Sequence, residues 1–227
     1  MKSNGNQSAE GSKTGFPEKQ KNYETAYREA ADKFAAASIA VIARNSGAAV
    51  VENGSDKTLI LPFLGDEMLI THPAVSVNYN NKNDGAPLWA RIVVLHYLNA
   101  ARGASVTGEQ ITFQDLEGGR VYYPAFVRRT IIPIMDVFGD DLEGFISAGI
   151  EFGGARAAYG DYSLSFQAFP FVRITFVVWK GDAEFPATGS VIFDSSIVTY
   201  LSTEDIAVLC NMIAVRIIKH KTMKDGV

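Results

Sequence analysis

The sequence predicts an α+β fold: two regions of antiparallel sheet, at about residues 58–79 and 162–194, packed with a buried central helix at about 88–102. The first observation is that β-branched and aromatic residues concentrate in the two sheet regions, as they do in strands. The second is that residues 88–102 are apolar on nearly every side of a helix, whereas a surface helix keeps a broad polar face. An N-terminal helix and a C-terminal helix, each with one apolar stripe, complete the predicted domain.

Length and composition describe an ordinary globular protein. The chain has 227 residues, of which 47% are hydrophobic and 20% charged, so it can bury a core without a disulfide or metal. Its net charge of -4 offers no broad basic surface, and we therefore expect no general nucleic-acid binding. No apolar run approaches the ~20 residues of a membrane span, and no apolar signal core is present near Met1, so we expect no membrane insertion and a cytoplasmic location.

Cysteine use limits the redox chemistry that the chain can perform by itself. Cys210 is the only cysteine. A single cysteine excludes an intrachain disulfide and any iron–sulfur cluster that is bound only by cysteines of this chain.

The N-terminal region predicts a tail followed by one helix. Residues 1–17 are polar and are expected to form a flexible tail, which leaves a single domain over residues 18–227. From Glu18 onward, apolar residues recur at alternating steps of four and three, which predicts a helix that ends near Gly47. The members of this stripe are Tyr23, Tyr27, Ala30, Phe34, Ala37 and Val41.

The first sheet region predicts a hairpin and a third strand. Residues 58–63 and 67–71 are strand candidates joined by a short turn that contains Gly65. Apolar and polar residues alternate over 75–79, as in a strand with one buried face. The central helix follows, and Gly103 is a natural end for it.

The middle of the chain predicts mostly helix. Residues 111–116 are a candidate short strand, with the turn Gly118-Gly119 after it. A helical period begins at Pro124, but Pro133 lies inside the same run and predicts two short helical pieces. Residues 140–152 predict another helix, because acidic residues favour a helix start.

The C-terminal third predicts three strands and the last helix. The strands are residues 162–169, 171–179 and 189–194. Residues 202–205 form a capping box, in which Asp replaces the usual Glu, ahead of an apolar stripe. The stripe contains Ile206, Leu209, Cys210, Ile213 and Ile217.

Four short motifs, taken in order, carry a resemblance to a known family. They are LHYL at 95–98, WKGDAEFPA at 179–187, IFD at 192–194 and YLSTED at 200–205. From about residue 25 to the C-terminal helix, the chain resembles the prokaryotic domain-of-unknown-function family numbered 3786. The resemblance implies no catalytic residues.

The resemblance does imply a biological context. Family members are common in anaerobic bacteria and archaea, and some are fused to an iron–sulfur domain similar to that of corrinoid iron–sulfur proteins. This chain departs from the fused pattern, since it has one cysteine. A role in corrinoid or one-carbon metabolism would therefore require a protein partner that carries the iron–sulfur or corrinoid centre. The cofactor, if there is one, is unknown from the sequence.

His96 is the most notable single candidate, because it is an imidazole on an otherwise apolar helix. It could bind a metal or a tetrapyrrole-like cofactor, or it could move a proton. The alternative is a buried histidine held by a carbonyl or a carboxylate. The sequence does not place His72 or His220 near it, so no zinc site is predicted.

Two further groups of charged residues are candidates for ligand binding. Asp182, Glu184 and Asp194 could converge as a cation site or an acid–base pair, or they could serve a hairpin loop and a turn. Arg128 and Arg129 could bind a phosphate or carboxylate, or they could lie on a solvated helix face.

The leading functional hypothesis is a non-catalytic accessory module that holds a partner or an acidic small ligand on the sheet face and loops of residues 171–194. No nucleophile–base arrangement is readable in the sequence. The second hypothesis is an enzyme in which His96 works with Asp194 or Glu184, which requires hydrogen-bond reach between them. The third is a purely structural interaction protein. The predicted ligand-binding residues are His96, Arg128, Arg129, Asp182, Glu184 and Asp194.

Overall fold

The structure is a computed structural model that describes residues 15–54, 56–81 and 85–224. These residues form helices α1 to α6 and strands β1 to β9, and the strands divide into a four-stranded and a five-stranded sheet. Every strand pairing is antiparallel, which confirms the predicted α+β fold. Most of the predicted tail, residues 1–14, lies outside the described residues.

The bounds of the elements are as follows. The helices are α1 (Gly15–Ala36), α2 (Ile39–Ser46), α3 (Leu88–Ala100), α4 (Gly119–Phe138), α5 (Leu142–Glu151) and α6 (Thr203–Lys224). The strands are β1 (Ala49–Asn53), β2 (Asp56–Phe63), β3 (Asp66–His72), β4 (Val77–Tyr79), β5 (Gln110–Thr112), β6 (Ala155–Arg156), β7 (Tyr162–Phe169), β8 (Val172–Trp179) and β9 (Thr188–Asp194). Single 3₁₀ segments follow β5 and β9, at Phe113–Asp115 and Ser195–Thr199.

The predicted N-terminal helix is in fact two helices, so the prediction of one continuous helix was wrong. Ser38 has extended backbone angles and separates α1 from α2. The break rotates the apolar positions, so that Ile39 and Ile42 are buried while Val41, a member of the predicted stripe, is 44% exposed. The end of α2 is as predicted, because Gly47 adopts the left-handed conformation that a glycine tolerates.

The four-stranded sheet has the order β1-β2-β3-β4 and contains the predicted hairpin of β2 and β3. Both turn residues, Leu64 and Gly65, have positive φ, as a tight hairpin turn requires. The sequence analysis missed β1, because Ala49 to Glu52, four of its five residues, are all exposed and show no alternation of buried and exposed positions.

The five-stranded sheet has the order β5-β9-β8-β7-β6, and its three long strands match the prediction. Alternate residues of β8 from Arg173 to Trp179 mix polar and apolar side chains on one face. That face is largely covered, since Thr175 and Val177 are buried and only Arg173 and Trp179 at its ends are exposed.

Helix α3 lies where the two sheets meet, and it is buried as predicted. The Tyr97 ring stacks on the Phe169 ring of β7 with 4.1 Å between ring centroids. The Phe169 ring in turn packs against Phe63 of β2, with 5.1 Å between centroids. The Tyr97 hydroxyl donates a hydrogen bond of 2.8 Å to the carbonyl of Ser46 at the end of α2. Tyr97 therefore joins α3 to the five-stranded sheet and to α2, and Phe169 extends the aromatic contact to the four-stranded sheet.

Helix α4 is continuous, so the prediction that Pro133 would divide it was wrong. A proline within a helix leaves the carbonyl of the residue four positions earlier without its usual donor. For Pro133 that carbonyl belongs to Arg129, and the Nδ2 amide of Asn211 on α6 donates to it at 2.7 Å. The neighbouring helix supplies the donor that the proline removes.

Helix α6 begins and packs as predicted. The Asp205 amide donates to the Ser202 hydroxyl at 3.2 Å, and the Ser202 amide donates to Oδ2 of Asp205 at 3.3 Å, which together form the capping box. All five residues of the predicted stripe are fully buried.

The Asn211–Arg129 contact predicts a coupling between two substitutions. Asn211→Ala should lower the free energy of unfolding by about 1 kcal/mol, because the Arg129 carbonyl loses its donor. In a Pro133→Ala background the helix restores that donor, so the same substitution should cost much less. Urea denaturation of the four proteins in this cycle measures the coupling, and equal costs in both backgrounds would show that the contact does not compensate for the proline.

The position of Tyr97 predicts graded losses of stability. Tyr97→Ala should lower the free energy of unfolding by about 3–5 kcal/mol, because it opens a cavity between the sheets. Tyr97→Phe keeps the stacked ring and should cost about 1 kcal/mol for the lost hydrogen bond. Val106→Ala, at a position that is 72% exposed, is the control and should have little effect on chemical denaturation.

Candidate functional site

A cleft of about 1010 Å³ runs along α6, with α4 on one side and the starts of α1 and α3 on the other. Its floor follows one face of α6, because the lining positions recur at steps of three and four. These floor residues are Glu204, Ala207, Val208, Asn211, Val215 and Lys219. The same helix therefore presents its buried apolar stripe to the core and a second, less apolar stripe to the cleft.

The walls of the cleft carry aromatic side chains that remain open to solvent. Tyr122 of α4 is 64% exposed, and Tyr23 of α1, which also lines the cleft, is 45% exposed. Leu88 and Trp89, in the first turn of α3, are half-buried beside Tyr23. Exposed apolar surface that lines a concave feature is typical of binding sites.

Charged side chains are unevenly distributed along the cleft. Glu117 and Glu204 lie at the N-terminal end of α6, where the Thr203 hydroxyl donates to the Glu117 carbonyl at 2.8 Å. Lys219 lies at the other end of the floor, and Arg129 lies beside Asn211 between the two ends. The cleft is thus acidic at one end and basic from its middle to the other end.

Arg129 is the one predicted ligand-binding residue that lines this cleft. Its side chain is exposed, and within the described part of the chain it forms no ion pair. Arg216 also lines the cleft, but it already contacts the Tyr79 hydroxyl at 3.0 Å and Asp66 at 3.9 Å. Arg128, the exposed residue that precedes Arg129 on α4, is not part of the lining.

His96 is paired with a carboxylate that the sequence analysis had assigned only to a helix cap. Its Nδ1 lies 2.8 Å from Oδ1 of Asp205, whose other oxygen holds the Ser202 hydroxyl. The Asp205 side chain is 7% exposed and that of His96 is 39% exposed. This hydrogen bond raises the pKa of His96; burial and Lys33 oppose the increase, and the nearby Glu204 supports it.

His96 lies near the acidic end of the cleft but is not one of its lining residues. Ser202 and Glu204, on either side of the bonded Asp205, do line it. A carboxylate on Nδ1 orients the ring so that Nε2 is the nitrogen available for a ligand or proton, as in other carboxylate–histidine pairs. Nε2 forms no hydrogen bond with any described residue.

Asp182 and Asp194 organise the loops in which they lie. Asp182 accepts hydrogen bonds of 2.8 Å from the amides of Glu184 and Phe185. Asp194 accepts from the amides of Thr107, Gly108 and Ser196 at 2.8–3.0 Å. Partial burial opposes ionisation of Asp194, but hydrogen bonds from the side chain of Ser196 and from these three amides lower its pKa overall.

These contacts show which predicted residues the structure joins. The carboxylate on His96 belongs to Asp205, whereas Asp182 and Asp194 hold amides of their own loops, and Glu184 is exposed on such a loop. Within the described residues, no group of three or more His, Cys, Asp or Glu side chains is arranged to hold a metal ion. None of the described helices is both long enough and apolar enough to cross a membrane.

Sequence reasoning did not identify the cleft. Its floor comes from α6 and its walls from α1, α3 and α4, which are far apart in the chain. One local signal was present, because Val208 and Val215 are apolar residues that lie outside the buried stripe of α6.

The pairing of His96 with Asp205 predicts how stability depends on pH. Because the folded state raises the pKa of His96, the pair stabilises fully below the unfolded value of about 6.5 and loses its effect as pH rises through the folded value. The difference in melting temperature between the wild type and His96→Gln should therefore be largest near pH 5.5 and shrink toward pH 8.5. Asp205→Asn, which keeps a hydrogen-bonding cap, should remove the same pH-dependent part, and a difference that stays constant across this range would contradict the assignment.

Comparison with known proteins places the chain in a family. A family model described as a domain of unknown function (DUF3786) matches residues 38–216, which include the floor of the cleft up to Arg216 and both His96 and Asp205. No curated protein and no solved structure matches the chain. The protein is a member of the DUF3786 family.

Proposed function

We propose that this protein is an accessory binding domain whose α6 cleft holds an amphipathic partner or ligand that carries negative charge. The observation that carries the proposal is an open cleft of about 1010 Å³ with exposed aromatic walls and, in its lining, an Arg129 that forms no ion pair with any described residue. The apolar walls would supply most of the affinity, since burial of apolar surface is the main favourable term in association. Arg129 would orient the negative group through its fixed set of donors.

The backbone around Arg129 supports this role. Its carbonyl is bound by Asn211 on the cleft floor, so the position of Arg129 relative to α6 is set by a contact between the two helices. A binding residue whose backbone is held in place loses less conformational freedom when a ligand binds. The predicted residues Asp182, Glu184 and Asp194 are not part of this proposal.

The family resemblance suggests which partners and ligands to test first. A corrinoid or an iron–sulfur protein of an anaerobic prokaryote is the partner that the resemblance implies. A corrinoid has an apolar ring with polar substituents and is large enough to make use of a cleft of this volume.

A second function, an acid–base enzyme, is favoured by one specific observation. Asp205 contacts Nδ1 of His96 at 2.8 Å and is itself buried, which is the arrangement that prepares Nε2 to accept or donate a proton. In this alternative the carboxylate partner is Asp205 rather than Asp194 or Glu184. The binding module is preferred because His96 is outside the cleft lining.

The first test uses 1-anilinonaphthalene-8-sulfonate, an anionic aromatic dye that combines an apolar body with one negative charge. The native protein should bind the dye with increased fluorescence. Arg129→Gln should weaken binding roughly twofold to fivefold, since it removes an ion pair at an exposed site. The matched control is Arg128→Gln, which removes an adjacent exposed arginine outside the cleft and should leave the affinity unchanged.

Competition then addresses the corrinoid proposal. Cobalamin or cobinamide, added to the dye complex, should displace the dye if a corrinoid occupies the cleft. Failure of the folded protein to bind the dye, or equal effects of the two arginine substitutions, would contradict the cleft as the binding site. Dye binding without displacement would remove the free corrinoid from the candidates and retain the binding module.

A further inference from the structure

We infer that the natural occupant of the cleft is an amphipathic α-helix of another protein, bound antiparallel to α6. The inference rests on the proposed binding function and makes its partner more specific. It depends on the length of the cleft, the spacing of its apolar residues and the separation of its charges.

The length of the cleft is suited to a helix. Its lining follows α6 from Ser202 to Lys219. At 1.5 Å per residue this span is about 25 Å, which equals the length of a helix of about 17 residues. A compact small ligand would occupy part of such a groove, whereas a helix would cover all of it.

The floor and walls have the character of a helix-packing surface. Ala207, Val208 and Val215 form a shallow apolar floor, and Tyr122 and Tyr23 stand on opposite sides of it. A helix with apolar residues at steps of three and four would place them between these walls, as in other helix-in-groove complexes. The structure already contains the same type of packing, since α6 lies against α4 and α3.

The charges decide the direction of the bound helix. Glu117 and Glu204 lie at the N-terminal end of α6, whereas Lys219 lies toward its C-terminal end, and Arg129 lies between the two. None of these four side chains forms an ion pair within the described part of the chain. A complementary partner is therefore acidic where it meets Lys219 and basic where it meets Glu117 and Glu204.

An isolated helix is stabilised by acidic residues in its first turn and basic residues in its last turn, because these charges oppose its dipole. A partner helix that follows this rule has its acidic N-terminus at the Lys219 end and its basic C-terminus at the Glu204 end. This orientation is antiparallel to α6.

The test uses two synthetic peptides of 18 residues with the same leucine stripe at steps of three and four. One has glutamates in the first turn and lysines in the last turn, and the other has these charges exchanged. Their dissociation constants for the full-length protein are measured by fluorescence anisotropy. The wild type should bind the first peptide roughly tenfold more tightly than the second.

Charge exchange on the protein separates the direction of binding from the helicity of the peptides. Lys219→Glu combined with Glu204→Lys should reduce or reverse the ratio of the two dissociation constants. Because the same two peptides are compared on both proteins, differences in peptide helicity cancel in this ratio. Arg128→Glu is the matched control, since it changes an exposed charge outside the cleft and should leave the ratio unchanged.

Val208→Lys places a charge in the apolar floor and should weaken binding of the first peptide at least tenfold, with circular dichroism to confirm that the variant is folded.

A ratio of the two dissociation constants that does not respond to the charge exchange would overturn the inferred direction and with it the inference. If neither peptide binds while the anionic dye does, the helix inference fails and the proposed binding function stands. If sedimentation shows a dimer that Val208→Lys dissociates, the occupant is a second copy of this chain, which also overturns the inference.

Discussion

The stacking of the Tyr97 ring on the Phe169 ring, with 4.1 Å between their centroids, is the interaction on which the rest of the architecture depends. Neither sheet can bury its apolar face alone. The two sheets meet through β2 and β7, and α3 packs at this junction. Tyr97 contributes a large apolar ring to this junction and a hydroxyl that donates to the carbonyl of Ser46. Burial raises the pKa of Tyr97, as expected for a phenol that remains protonated in the core. The position of α3 in turn determines where Trp89 and His96 lie.

Helix α6 connects this core to the candidate site. Its buried stripe, from Ile206 to Ile217, packs inside the domain, and its other face forms the floor of the cleft. Asn211 shows how closely the two roles are related, because one amide lines the cleft and also satisfies the Arg129 carbonyl that Pro133 leaves open. The wall of the cleft and the continuity of α4 therefore depend on the same contact.

The His96–Asp205 pair gives α3 and the start of α6 a polar contact within a largely apolar domain. Asp205 satisfies both a capping box and an imidazole, so each of its oxygens has a defined partner. Buried carboxylates are tolerated when they are hydrogen-bonded in this way. The pair matches the structural alternative of the sequence analysis, a histidine held by a carboxylate. Its Nε2, near the acidic end of the cleft, forms no hydrogen bond with any described residue.

Local patterns in the sequence were sufficient for most of the elements, because strand alternation, the hairpin turn, the α6 capping box and the apolar stripes depend on residues within a few positions of each other. They were insufficient where a distant residue changes the local outcome. Pro133 predicts a broken helix until Asn211, 78 residues later, supplies a donor. His96 likewise acquires its partner from a residue 109 positions away, and the cleft combines four helices whose spacing no local pattern encodes. The sequence by itself determined the fold class, the buried α3 and the buried face of α6, since burial is encoded by periodicity. Only the tertiary structure decided which polar groups meet and where an apolar surface is left uncovered, because both depend on how the helices pack against one another.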